Sequence, residues 1–290
     1  MKAIKAFIKS HPVLTYFGLV LAISWGGVLI VVGPYGIPAT NKEQYETLFP
    51  MAILAMVAGP SVASILLTAL LYGRAGLREF GSRLLRWRVG ARWYAVALLT
   101  APLAFTGVIL ALSLTYTEFL PSILTSDDRA SVLLMGIFAG LMAGIFEELG
   151  WTGFAVPTLL RRMRYGVLST GLIVGVPWAV WHLLVTFWAS GTISGEFAVA
   201  SYLIDPFLFL VAFRVLMVWV YDRSGSLLLA ILMHTSLTAS SLILGAGVVG
   251  IPLLTFDLIW AAMLWVVVAV VAASNRRHLS RQPASRRWVA

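Results

Sequence analysis

Apolar residues gather into eight long runs along this chain, separated by short polar links. The runs cover about 13–32, 51–72, 93–116, 131–156, 170–189, 203–221, 226–247 and 252–273. They approach or exceed the roughly 18 to 20 apolar residues that cross a bilayer as a helix. Segments of about ten alternating residues, the mark of a membrane β-barrel, do not occur. The pattern predicts an all-α, polytopic membrane protein of about eight transmembrane helices. No internal repeat, low-complexity stretch or second domain interrupts it, so 1–290 is read as a single membrane domain. The opening MKAIKAFIKSHP resembles the start of a signal sequence, but the following apolar run is long and lacks a small-x-small cleavage site; it is read as an uncleaved first span.

Composition agrees: 60% of residues are hydrophobic and 11% charged, against about 25% charged in soluble domains. The absence of cysteine excludes disulfides, thiolate nucleophiles and cysteine-bound metals. The net charge of +9 gains meaning only when placed by loop. Lys2, Lys5 and Lys9 precede the first span; Arg74, Arg78, Arg83, Arg86, Arg88 and Arg92 follow the second. Arg161, Arg162 and Arg164 follow the fourth, Arg223 the sixth, and Arg276, Arg277, Arg281, Arg286 and Arg287 the last. The alternate links hold only Lys42 and Arg129, with Glu43, Glu46, Glu118, Asp127, Asp128 and Glu196. The positive-inside rule then predicts both termini in the cytoplasm. The basic charge reflects topology and attraction to anionic lipid heads and does not point to nucleic acid. Residues 73–92 mix arginine with leucine, phenylalanine and tryptophan, which fits either an interfacial amphipathic helix or a solvated basic loop.

Against this background a few polar residues stand out. Glu147 and Glu148 end the run SVLLMGIFAGLMAGIF, and His182 and His234 lie in other apolar runs. Ionisable groups within spans are costly and mark functional sites. If the fourth helix stopped at Glu148, the acids would sit at the membrane interface. If it runs to Val156, where Pro157 is expected to break it, Glu147 lies about 14 Å inside at the helical rise. His182 and His234 come to about 18 and 12 Å on the same measure. Three segments thus place Glu147, His182 and His234 at similar depth. Neighbours on a helix diverge by about 100°, so one glutamate is expected to face the site while the other supports it. Hydroxyls such as Ser194 and Ser201 have no special setting and read as loop or packing residues.

The motifs Glu147-Glu148-Leu-Gly-Trp-Thr152, Trp178-Ala-Val-Trp-His182 and His234-Thr-Ser-Leu-Thr238 resemble those of the CPBP family. This is the membrane family of type II CAAX prenyl endopeptidases and bacteriocin-processing enzymes. The likeness covers about 131–241, the expected catalytic core. It implies hydrolysis of a peptide bond in a membrane-associated, in some cases prenylated, protein or peptide within a bacterial cell membrane. It also implies Glu147 as general base, Glu148 as its support, His182 orienting the water, and His234 with Thr238 binding the oxyanion. In the metal version Glu147, His182 and His234 hold Zn²⁺; both versions stay open. Two positions depart from the family pattern: Thr152 replaces an arginine and Thr238 an asparagine. Arg214, inside the sixth span, is a candidate for the missing cation, with snorkelling or pairing to Asp205 as its alternatives. A proton- or ion-coupled transporter and a non-catalytic peptide-binding relative are the competing readings.

Overall fold

The computed structural model describes residues 2–193 and 197–274. Ser194, Glu196 and the five tail arginines lie outside the described residues. Among the described residues all regular elements are helices: α1 (Lys2–Ser10), α2 (Pro12–Val32), α3 (Lys42–Leu84), α4 (Ala91–Ser113), a short α5 (Ser122–Thr125), α6 (Arg129–Glu148), α7 (Val167–Ser190), α8 (Ala198–Ser224), α9 (Leu227–Leu244) and α10 (Ile251–Ser274). Eight are long and apolar enough to cross a membrane, as the runs predicted. Large apolar side chains such as Ile30, Leu66, Leu103, Leu134 and Val266 are exposed around the bundle, as a lipid-facing surface requires.

Two helix pairs position the functional residues. On α6, Gly136, Gly140 and Gly144 recur every four residues and make a groove against α9. A side chain on Gly144 would come 2.6 Å from the Ile231 carbonyl. Small residues at this spacing let two backbones approach without a hydrophobic driving force. On α7, Gly175 plays the same part against α8, where a Cβ would lie 3.0 Å from Val211 Cα and 3.4 Å from Arg214 Cβ. The ends are capped where the sequence supplies a cap: Asp128 accepts from the Ser131 amide at 3.0 Å, and Ser226 from the Leu229 amide at 3.3 Å.

α3 has 43 residues, about 64 Å at the helical rise and far beyond a hydrocarbon core of about 30 Å. It bends at Gly73 (φ 59°, ψ −150°), a conformation open to glycine. Beyond the bend, 74–84 is helical, so the amphipathic reading of this segment is the one observed. Its buried face holds Phe80 and Arg83, while Arg74, Leu77 and Arg78 are exposed. Arg83 therefore does not sit among the free surface cations where sequence had put it; it is only 6% exposed. Within the span, Pro60 lacks the N–H that would bond the Met56 carbonyl, and Ser24 Oγ on α2 donates to that carbonyl at 2.6 Å.

Pro157 does not break the fourth span. Regular α-helix ends at Glu148, and the chain continues through two π-turns, Trp151–Ala155 and Thr158–Arg162. The Val156 amide bonds the carbonyl five residues back, at Trp151, and Met163 does the same to Thr158. The wider turn relaxes the demand that position 157 donate to the carbonyl four residues before it. The entrance is held from α3: the Gly150 amide bonds Glu147 and leaves the Phe146 carbonyl to the Ser61 hydroxyl.

Candidate active site

Glu148 closes α6 and is fully buried. Its two oxygens take four donors. Arg214 of α8 grips it from both guanidinium nitrogens, Nη1 to Oε2 at 2.8 Å and Nη2 to Oε1 at 2.9 Å. The Thr152 hydroxyl donates to Oε2 at 2.5 Å, and His234 Nδ1 meets Oε1 at 2.8 Å. Burial of such an ion pair is sustainable only because every acceptor site is filled and the geometry is bidentate. The departure at position 152 is thus accounted for: a hydroxyl stands where a cation is usual, and the cation reaches the same oxygen from α8. Arg214 pairs with Glu148 rather than with Asp205.

Glu147 is the opposite case. It is 3% exposed, and its Oε2 accepts from the Trp178 indole at 2.7 Å. Its other oxygen, Oε1, lies 3.9 Å from His234 Nε2, too far for a direct hydrogen bond. The two neighbouring acids have diverged as the helical rotation required.

Trp178 of α7 is the hub between them. The Arg214 guanidinium stacks 3.9 Å from its ring centroid. His234 meets it edge-on at 5.2 Å and His182 at 5.9 Å. Sequence reading named Trp178 as a motif residue and gave it no role. The available signal was its position one helical turn before His182, on the same face. His182 Nδ1 lies 2.8 Å from the Trp178 carbonyl. A carbonyl and an ionised carboxylate can only accept, so both imidazoles carry their proton on Nδ1 and leave Nε2 bare. Glu147, Glu148, His182 and His234 are gathered as the depth estimates required. Thr238 is one turn beyond His234 and half-buried, and its hydroxyl makes no hydrogen bond to the group. Ser201 bonds the Ala198 carbonyl within its own helix, a packing role.

Sequence reading also passed over Asp257. It is buried on α10 with one carboxyl oxygen unpartnered. The rule that flagged Glu147, an acid within an apolar run, applied to it equally.

An eight-span membrane bundle with two buried acids, two imidazoles and an inserted arginine defines a polytopic membrane protein with an enclosed polar site. A model of the type II CAAX prenyl endopeptidase Rce1-like family matches residues 129–240, the segment from the start of α6 into α9. The chain is 24% identical over 202 residues, 67% of its length and 72% of the relative's, to CAAX prenyl protease 2 of Methanococcus maripaludis. The chain belongs to the CPBP family. Membership supports an intramembrane endopeptidase activity.

Proposed function

We propose that the chain hydrolyses a peptide bond of a membrane-associated substrate with a water activated by Glu147. The observation that carries this reading is the asymmetry of the two acids. Glu148 has no oxygen left for chemistry, whereas Glu147 keeps Oε1 free opposite His234 Nε2 at 3.9 Å. A water at an ordinary hydrogen-bond length of about 2.8 Å from both atoms would subtend about 90° between them.

Glu147 takes a proton from this water as its oxygen attacks the carbonyl carbon. His182, with Nδ1–H tied to the Trp178 carbonyl, offers Nε2 to orient the water's second hydrogen. As charge develops on the carbonyl oxygen, His234 faces it as imidazolium through Nε2–H, anchored at Nδ1 on Glu148. Thr238 adds a hydroxyl donor from the next turn of α9. Glu147 then passes its proton to the leaving nitrogen, which completes the cleavage with neutral carboxyl and amine products before they ionise. Glu148 and Arg214 hold His234 and neutralise each other.

Glu147 and Nε2 of His182 and His234 are also a two-histidine, one-carboxylate donor set. Each imidazole is fixed at Nδ1 by an acceptor, as zinc-bound histidines usually are. Among the described residues no three His, Asp or Glu side chains are already drawn into a ligand cluster. Bound there, zinc would supply water ionisation and carbonyl polarisation. The substrate class, lipidated or prenylated, rests on the family alone.

The test is cleavage of a membrane-anchored peptide, with and without a prenyl group, by purified protein. Glu147→Gln, His182→Ala and His234→Ala should each lose activity, by roughly 10²- to 10⁴-fold for loss of the base. Equal cleavage by all four proteins would refute the assignment. Metal analysis of the wild type beside His182→Ala decides between the two routes to activated water.

A further inference from the structure

Arg83 belongs by sequence to an arginine-rich link, yet it is buried. A buried guanidinium must be matched by acceptors, and here these come from the walls of the site. Nη2 donates to the Gly153 carbonyl at 3.0 Å, and Nη1 to the Tyr221 hydroxyl at 3.0 Å. Nε lies 3.6 Å from Glu79, which also takes Arg161 at 3.3 Å. Phe80, one turn before Arg83, fills the space a side chain on Gly153 would need, with its Cε2 2.6 Å from that Cβ.

The choice of carbonyl is informative. In a continuous α-helix the Gly153 carbonyl would receive the N–H of residue 157. Residue 157 is proline and has none. Arg83 supplies a donor to that carbonyl, in the turn that carries Thr152, whose hydroxyl holds Glu148. Its other bond reaches Tyr221, two turns along α8 from Arg214, the second holder of Glu148.

We propose that Arg83 is a positioning residue for the reaction assigned above. It fixes the π-turn 151–155 against α8, so that Thr152 and Arg214 meet Glu148 together and Glu148 holds His234 in register with Glu147. The inference rests on the peptidase reading. Arg83 touches neither Glu147 nor either histidine, so its loss should slow turnover and leave substrate binding alone. Misplacement of a reacting group by about 1 Å costs on the order of 10²-fold.

The experiment compares wild type, Arg83→Leu, Arg83→Lys and Tyr221→Phe, with Arg78→Gln on the exposed face of the same helix as control. Two quantities are read per mole of monodisperse protein: kcat and KM on a membrane-anchored peptide, and hydrogen exchange over 149–163. Arg83→Leu should lose roughly 10- to 100-fold in kcat, with KM within about twofold. Exchange should rise in 149–163 and stay unchanged in 129–144. Arg83→Lys, which keeps a donor for Gly153, should recover part of both; Tyr221→Phe should show a smaller loss, and Arg78→Gln none. An unchanged kcat in Arg83→Leu, or exchange that rises evenly across the protein, would overturn the proposal. If wild type does not cleave, or Glu147→Gln cleaves as well as wild type, the peptidase reading fails separately. The exchange measurement still decides whether Arg83 holds the turn.

Discussion

Replacing Arg214 by leucine is the sharpest perturbation of this site. It removes two of the four hydrogen bonds on Glu148 and leaves a carboxylate that is 0% exposed without its cation. Breaking a buried ion pair by deleting one partner costs about 3–5 kcal/mol. Loss of the guanidinium stacked on Trp178 adds to this, up to about 2 kcal/mol for a desolvated pair, although the terms overlap. A loss of about 4 kcal/mol is expected, close to a thousandfold in the folding equilibrium. Equilibrium unfolding in mixed micelles measures it. Two companion variants isolate the cause. Arg214→Leu with Glu148→Gln should be more stable than Arg214→Leu alone, because no uncompensated charge remains buried. Arg214→Leu with Thr152→Arg should recover stability and cleavage, since a cation at 152 approaches the Oε2 now shared by Thr152 and Arg214. If Arg214→Leu matched wild type, or if neither companion improved on it, the account of Glu148 as a charge held by Arg214 would be wrong.

Three further outcomes follow from the packing and hydrogen bonds. Trp178→Phe keeps an aromatic face for Arg214 and removes the donor to Glu147; a charged hydrogen bond of about 1.5–3 kcal/mol predicts a roughly 10- to 100-fold loss in kcat/KM, and a change under twofold would contradict it. Gly144→Val drives a side chain into the Ile231 carbonyl, so overpacking of about 1–3 kcal/mol should appear in unfolding, with a larger relative loss of cleavage as α6 and α9 separate. Ser24→Ala uncovers the Met56 carbonyl opposite Pro60 and should cost about 1–3 kcal/mol of stability at unchanged kcat; a kcat change without a stability change would place Ser24 in a different role.

The spans were legible because a bilayer imposes a length and a polarity on any helix that crosses it. Glu147, His182 and His234 were legible for the same reason: three ionisable residues in apolar runs, at similar distances from the basic links. What sequence left open was partnership. Arg214 had three candidate fates, and its pairing with Glu148 depends on how closely α7 and α8 approach at Gly175. Arg83 looked like its neighbours in the arginine-rich link because burial there arises from the bend at Gly73, which folds the helix end back over the site. Pro157 read as a stop because the rule for proline assumes α geometry, and the π-turns on either side remove that assumption.

Those π-turns also bear on insertions and deletions. Each is in effect one extra residue kept within a helix. Deleting one residue near Leu159 would let that turn relax to ordinary α geometry and would rotate all that follows by about 100°, swinging Arg161 and Arg162 around the axis. The same deletion within α6 would rotate Glu147 and Glu148 off their partners, with no bulge to absorb it. Length changes should therefore be tolerated after the glutamate pair and rejected before it, an asymmetry that a one-residue deletion scan across 136–162 would trace directly.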